Sequence, residues 1–380
     1  MEEQFMTNEK IMDVKIDYLS VTFPLEVHVG DVKELIIQET VDLISNFLNI
    51  PKSLRKKEPK ATNRYKYQYL LGQSIILRLV GPEDSTGFQT CQLELKGEGC
   101  REYETRNPNK TWKQLILFLK MINCKTTRID IALDDFSNQL PLSWIDRKID
   151  KKYYTSSIKS KGKPIGRIEE GYSLTLGSNE SPLQICIYDK KYEQAERGKV
   201  VLEDNWTRYE MRFRRDKAHL IFRELYNNLD ETNEKESLKK FAFGLLHQNL
   251  DIKEDNNYSK ENQTLAPTDK KWLEFLDNTQ KYVLPKLEKK DVSIDLFMQR
   301  YEKSSAYYLL FLYLINGRDK ESFEHKIYQM LYDNLELDKA KYHRLNLYLE
   351  KLEIPEVSDK SLEKIKTEFF NEITERELPF

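Results

Sequence analysis

Apolar and polar residues alternate with a period of two in several separate stretches of this chain and recur at helical spacing in others. In KTTRIDIALDDF, residues 125–136, Ile129, Ile131 and Leu133 fall on one side of an extended chain and Arg128, Asp130 and Asp134 on the other, the pattern of a half-buried strand. The same alternation predicts strands over 15–23, 74–80, 90–96, 171–176, 183–188 and 206–215. In the strand over 90–96, Leu93 and Leu95 face inward and Glu94 outward; in WTRYEMRFRR, Tyr209, Met211 and Phe213 face inward while Arg208, Glu210, Arg212 and Arg214 face outward. Helical spacing predicts helices over 31–50, capped by Asp31 and stopped by Pro51, and over 111–122. A short helix after Tyr188 carries Tyr192. Strands and helices in this order predict an α+β fold, an antiparallel sheet with helices on one face. Beyond Leu250 the run DIKEDNNYSKENQTLAPTD has no apolar period and reads as a linker over 251–268, followed by helices over 269–282, 293–315, 319–335, 338–352 and 361–375. The expected division is a first domain over 1–250 and an all-helical domain over 269–380.

A chain of 380 residues suits two domains. With 61 basic against 63 acidic residues, no global field points to an anionic partner, so any such partner must be met by local patches. Two stretches qualify. From Lys52 to Tyr69, basic residues including Arg64 and Lys66 interleave with Tyr65, Tyr67 and Tyr69, a mixture that suits a phosphate backbone with unpaired bases; a solvated loop leading into a hairpin fits equally well. From Arg147 to Arg167, Lys151, Lys152, Lys159, Lys161 and Lys163 make the most basic segment of the chain, either an arm that closes over a substrate strand or a surface loop. Cys91, Cys100, Cys124 and Cys186 have no metal-type spacing, which argues against zinc and against a disulfide framework. The longest apolar run, Tyr307 to Ile315, is too short to span a bilayer, and no signal peptide precedes the first strand; the expectation is a soluble cytoplasmic protein.

Candidate chemistry centres on the outward faces. Two carboxylates on one strand face repel unless positive charge lies between them. For Asp130 and Asp134 a divalent cation or Arg128 would supply it. Glu94 joins the candidate acids. Glu210 either pairs with the arginines around it or completes a carboxylate cluster. Tyr188 stands at a strand end, where a side chain can project into a cleft.

The segments KIDYLSVTF, ELKGEGCREYE, RIDIALDDF, LGSNESPLQICIYDKKYEQA and TRYEMRFRR, in this order, resemble the Rep_trans family of rolling-circle replication initiators and the related relaxases of integrative and conjugative elements. The resemblance covers roughly the first two thirds of the chain, and five ordered motifs are more specific than any one of them. It implies a strand-specific, metal-dependent DNA nickase whose tyrosine becomes joined to a 5′ phosphate. Carried over by motif, the nucleophile is Tyr188, with Tyr172 and Tyr192 as competitors, and the metal ligands are Asp130 and Glu210 with Glu94 or Asp134. The histidine pair usual among rolling-circle nickases is missing, since all five histidines are isolated; a carboxylate site prefers magnesium or manganese. Arg208 and Arg212 would stabilise charge in phosphoryl transfer, and Arg214 would join Arg64, Lys66 and the lysines at 151, 152, 159, 161 and 163 on DNA. The implied partner is origin DNA, single-stranded around the nick with duplex flanks. A host helicase or a second copy of the chain would engage the helical part. The rival expectation is a non-catalytic origin- or operator-binding regulator on the same fold.

Overall fold

A computed structural model of the chain describes residues 12–25, 34–84, 88–158 and 173–285, and beyond these 309–310, 312–314, 318–334, 346, 349–350 and 357–376. The Asp31 cap, the helix expected over 338–352 apart from three positions, most of that over 293–315, and Lys159, Lys161, Lys163 and Tyr172 lie outside the described residues. Two compact units divide the chain, Met1–Leu287 and Glu288–Phe380.

In the first unit the strands are β1 (Met12–Pro24), β2 (Arg55–Lys57), β3 (Tyr67–Leu71), β4 (Ile75–Leu79), β5 (Thr90–Leu95), β6 (Lys125–Asp135), β7 (Tyr154–Ser156), β8 (Ser173–Leu176), β9 (Leu183–Asp189), β10 (Thr207–Arg214) and β11 (Leu250–Ile252). Its helices are α1 (Glu34–Phe47), α2 (Gly97–Arg106), α3 (Trp112–Met121), α4 (Leu142–Asp150), α5 (Lys190–Glu196), α6 (Arg215–Asn228), α7 (Glu234–Asn249) and α8 (Lys270–Phe275). Nine strands form one antiparallel sheet in the order β2-β3-β4-β5-β1-β6-β10-β9-β8, and β7 pairs with β11 separately. The segment singled out by its alternation, β6, sits between β1 and β10 near the middle of the sheet. Ile129, Ile131 and Leu133 of β6, Leu19 and Val21 of β1, Tyr209, Met211 and Phe213 of β10, and Ile185 and Ile187 of β9 share one buried core with the apolar stripes of the helices. This leaves the opposite, polar face of the sheet to carry the chemistry. Local signals start and hold the helices: Thr111 and Gln114 close a capping box on α3, and Phe47 stacks on Phe118 with ring centroids 3.9 Å apart, joining α1 to α3.

Three features differ from expectation. GEGCREYE, expected only to end a strand, forms α2, whose Cys100 and Tyr103 enter the core; a Cβ on Gly99 would stand 2.9 Å from the Ser74 carbonyl oxygen, so glycine permits the helix to lie that close. The basic segment after Arg147 is partly structural. Lys148 is only 1% exposed, donating to the Lys253 carbonyl at 2.7 Å and pairing with Asp255 at 2.8 Å and Asp269 at 2.5 Å.

The third correction moves the domain boundary. The supposed linker belongs to the first unit: Leu250–Ile252 pairs with β7, and Trp272 and Phe275 of α8 are buried, the Phe275 ring 4.8 Å from that of Tyr209 on β10. Within 251–268 only Ile252 and Ala266 are buried apolar residues among those described, too few and too far apart to leave a period to read. The helix expected over 269–282 is correspondingly short, because the chain after α8 turns to place the Tyr282 amide on the Gly244 carbonyl at 2.9 Å.

In the second unit the described residues are helical, with α9 (Lys320–Asn334) packed on α10 (Asp359–Arg376) and the Tyr332 and Phe370 rings 5.7 Å apart. Among the described residues no helix is long and apolar enough to cross a membrane.

Candidate active site

Strand register decides which outward side chains meet. Across β10 and β6, Arg212 faces Asp130, Arg208 faces Asp134 and Arg214 faces Arg128; across β10 and β9, Arg208 faces Tyr188 and Glu210 faces Cys186. On its other side Asp130 faces Tyr18 of β1, where a bulge between Ile16 and Tyr18 inserts Asp17 as an extra residue. Strict alternation with Leu19 and Val21 would drive Asp17 into the core. The bulge instead lets Ile16 fill that place and turns Asp17 to the polar side, where it meets Arg208 at 2.9 Å.

Of these side chains Asp17, Tyr188, Arg208, Glu210 and Arg212 line an open cleft of about 690 Å³ that reaches from Leu70 and Ile76 to Tyr188, while Asp130 and Asp134 do not reach its wall. Eight lysines and arginines line it against four carboxylates, so a chain with almost no net charge carries a locally positive groove.

The Tyr188 hydroxyl donates to Glu210 Oε2 at 2.9 Å, and Arg212 holds the same carboxylate through Nε at 2.8 Å and Nη2 at 3.1 Å. Burial and the adjoining Glu210 charge push the Tyr188 phenol well above its ordinary pKa, so it rests neutral. Burial pushes the Glu210 carboxyl up as well, but its hydrogen bonds from Arg212 and Tyr188 win, hold it below its ordinary pKa and keep it ionised. Asp130 accepts from Arg128 Nη2 at 2.6 Å and still lies high, at about 6, because burial outweighs Arg128 and Glu210 adds like charge. Asp17 is also raised, by burial first, with Glu210 adding to it against the pull of Arg208.

The four carboxylates expected to share a metal do not form one donor set. Arg208 grips Asp134 with Nε at 2.6 Å and Nη2 at 2.9 Å, and Lys15 adds a contact at 2.9 Å, leaving that carboxylate saturated by cations. Glu94 lies on β5, bound to Arg78 at 2.8 Å and to the Tyr18 hydroxyl, and is not among the cleft residues. Among the described residues no group of three or more histidine, cysteine, aspartate or glutamate side chains is placed to hold an ion. Asp130 and Glu210 are near enough for the Glu210 charge to raise Asp130, and each carboxylate is hydrogen-bonded by one guanidinium, Arg128 and Arg212 respectively.

The other expected residues divide as clearly. Arg208 lines the cleft but is 4% exposed and tied to Asp134 and Asp17. Arg212 remains partly open to the cleft, its side chain 26% exposed. The Tyr192 hydroxyl goes to Glu196 on its own helix at 3.3 Å, and Tyr192 does not line the cleft. Arg64, Lys66, Lys151 and Lys152 are exposed and outside it. Asp17 was missed from sequence, although a charged residue at a position that alternation assigns to the core was the readable sign of a bulge.

An open antiparallel sheet with helices on its apolar side has a counterpart among solved structures. A rolling-circle replication initiator protein from Geobacillus stearothermophilus shares the fold with a TM-score of 0.55 at 22% identity, over 71% of this chain and 97% of that one. Residues 13–118 match the rolling-circle replication initiation protein N-terminal domain, and residues 124–328, more than half of the chain, match the replication initiation factor family, Rep_trans. The chain belongs to the replication initiation factor family. It is also 27% identical over 228 residues to the "Putative DNA relaxase NicK" of Bacillus subtilis (strain 168), a match covering 57% of this chain and 60% of that protein.

Proposed function

We propose that this protein nicks one strand of origin DNA and keeps the cut end as a covalent phosphotyrosine, starting rolling-circle replication or transfer of a mobile element. The observation that carries the reading is the Tyr188 hydroxyl, 2.9 Å from Glu210 inside a basic cleft. In the step, Tyr188 Oη attacks the scissile phosphorus, the bond from phosphorus to the 3′ oxygen breaks, and the phenol proton passes to Glu210. The 3′ oxygen leaves with a proton from water, and the 5′ phosphate stays on Tyr188. A phenol held neutral is a weak nucleophile, so proton removal must accompany attack, and a carboxylate already hydrogen-bonded to it is placed for that. Arg212 offers a guanidinium where charge grows on the phosphate oxygens. A magnesium or manganese ion held by Asp130 and Glu210 would withdraw further charge from the phosphate. Cleft walls of lysine and arginine hold the phosphate backbone on either side.

The test is cleavage of a supercoiled plasmid carrying the element's own origin, with and without manganese, followed by mass spectrometry of the trapped peptide. Tyr188→Phe is expected to abolish nick and adduct while affinity for a single-stranded origin oligonucleotide stays within about twofold, because only one oxygen is lost. An adduct on Tyr172 or Tyr192, or specific origin binding by the unaltered chain with no cut in the presence of manganese, would overturn the reading. The latter result would leave a DNA-binding regulator in its place.

A further inference from the structure

Beyond Arg212 on the same polar face, the register sets two arginines directly opposite each other, Arg214 of β10 and Arg128 of β6. Like charges at a cross-strand pair destabilise a sheet, and partial burial strengthens the repulsion. Arg128 and Arg212 each have a carboxylate, Asp130 and Glu210 respectively. Arg214 has none among the described residues: Nη2 donates to the Gln184 side chain at 3.2 Å, while Nη1 is closed off from solvent without a hydrogen-bond partner. Burial and the charges of Arg128 and Arg212 together push the Arg214 guanidinium below its ordinary pKa. The two side chains lean apart, Arg214 toward Gln184 on β9 and Arg128 over the Tyr18 ring at 4.1 Å. A guanidinium in such a place costs the free protein stability, and an anion between the two would remove that cost.

We propose that Arg128 and Arg214 form a second phosphate site, which holds a backbone phosphate of the strand being cut, flanking the one that Tyr188 attacks. Arg214 lies four residues beyond Glu210 on one face of β10, roughly 13 Å along the strand, so a bound single strand would run along β10 from the nucleophile to this pair. Arg212 stands between the two on the same face, bound to Glu210. A bidentate guanidinium fork there fixes the strand's direction over the cleft, and the direction decides which phosphate reaches Tyr188. The assignment rests on the nickase reading for the identity of the strand.

The experiment uses the full chain carrying Tyr188→Phe, so binding is read where no cut can occur and does not depend on whether the unaltered chain nicks. Arg214→Gln and Arg214→Lys are added in turn. Thermal unfolding is measured at low salt, alone and with inorganic phosphate, and affinity for a single-stranded 12-mer is measured over a salt series. With Arg214→Gln we expect unfolding at an unchanged or higher temperature in the absence of anion, affinity for the 12-mer weaker by about tenfold, and a salt slope shallower by about 0.7, one single-strand phosphate contact. Arg214→Lys should keep most of the salt slope while losing part of the affinity, because the charge stays and the fork is lost. Unfolding several degrees lower with 12-mer affinity unchanged would make Arg214 a structural residue and overturn the proposal. So would a result in which inorganic phosphate stabilises the parent and not Arg214→Gln while both bind the 12-mer equally, since the site would then take a free anion and not DNA.

Discussion

Replacing Arg208 by methionine tests whether this arginine supports the site or reacts in it. The guanidinium makes both hydrogen bonds to Asp134, a carboxylate with no exposed surface, and a third to Asp17. Burial pushes Asp134 up, but Arg208 and then Lys15 overcome it and hold the carboxyl at about 2 against an ordinary 3.8. At about 1.4 kcal/mol per unit, that depression is worth about 2.5 kcal/mol of stability at neutral pH. Its sign follows from the lowered native value: the contribution is complete above the unfolded pKa near 4 and disappears as the pH falls through about 2. Arg208→Met leaves Asp134 buried with Lys15 alone, and removing one partner of a buried pair costs about 3–5 kcal/mol. The expected loss at pH 7 is therefore about 3 kcal/mol, and the gap to the parent should narrow toward pH 3 as Asp134 takes up its proton in the variant. Arg208→Met combined with Asp134→Leu should recover most of the loss, since the stranded charge is gone. Urea unfolding followed by tryptophan fluorescence reads this cleanly, because all four tryptophans lie in the first unit. A single variant within about 1 kcal/mol of the parent at pH 7, or a double variant no more stable than the single, would refute the assignment of Arg208 to support.

Glu210→Gln should slow nicking by about 10²–10⁴-fold with little change in oligonucleotide affinity, since the amide can still accept the tyrosine hydrogen bond but cannot take its proton; equal losses in rate and binding would show that Glu210 acts through DNA contact. A chain ending after Leu287 should fold and bind a single-stranded oligonucleotide, whereas one ending after Leu250 should not give a cooperative unfolding transition. The shorter form loses Trp272, Phe275 and Leu276 from the core, and a large buried aromatic contributes about 3–5 kcal/mol; circular dichroism melts of the two forms decide it.

The strands of the polar face were legible because each carries a clean period-two pattern anchored by β-branched and aromatic residues: β6, β9 and β10, with Tyr188 at its strand end and the arginines of β10 on one side. The helices α9 and α10 and the α+β class were legible in the same way. Their neighbours were not. A strand that slips by two residues keeps every side chain on its own face yet changes every cross-strand partner, so the sequence could present Asp130, Asp134, Glu94 and Glu210 as one cluster and leave open whether a cation or arginines neutralised them. Core packing chose the register, and with it the pairs Arg208–Asp134, Arg78–Glu94, Arg128–Asp130 and Arg212–Glu210, which divided the acids among separate guanidinium partners and set Glu210 against the Tyr188 hydroxyl. The same choice placed Arg214 against Arg128. The bulge that turned Asp17 outward and the closure of the core by Trp272 and Phe275 are likewise products of tertiary fit. Local alternation determines which way a residue faces; what it faces depends on contacts between segments far apart in the chain, and those are set by how the whole sheet and its helices fill space.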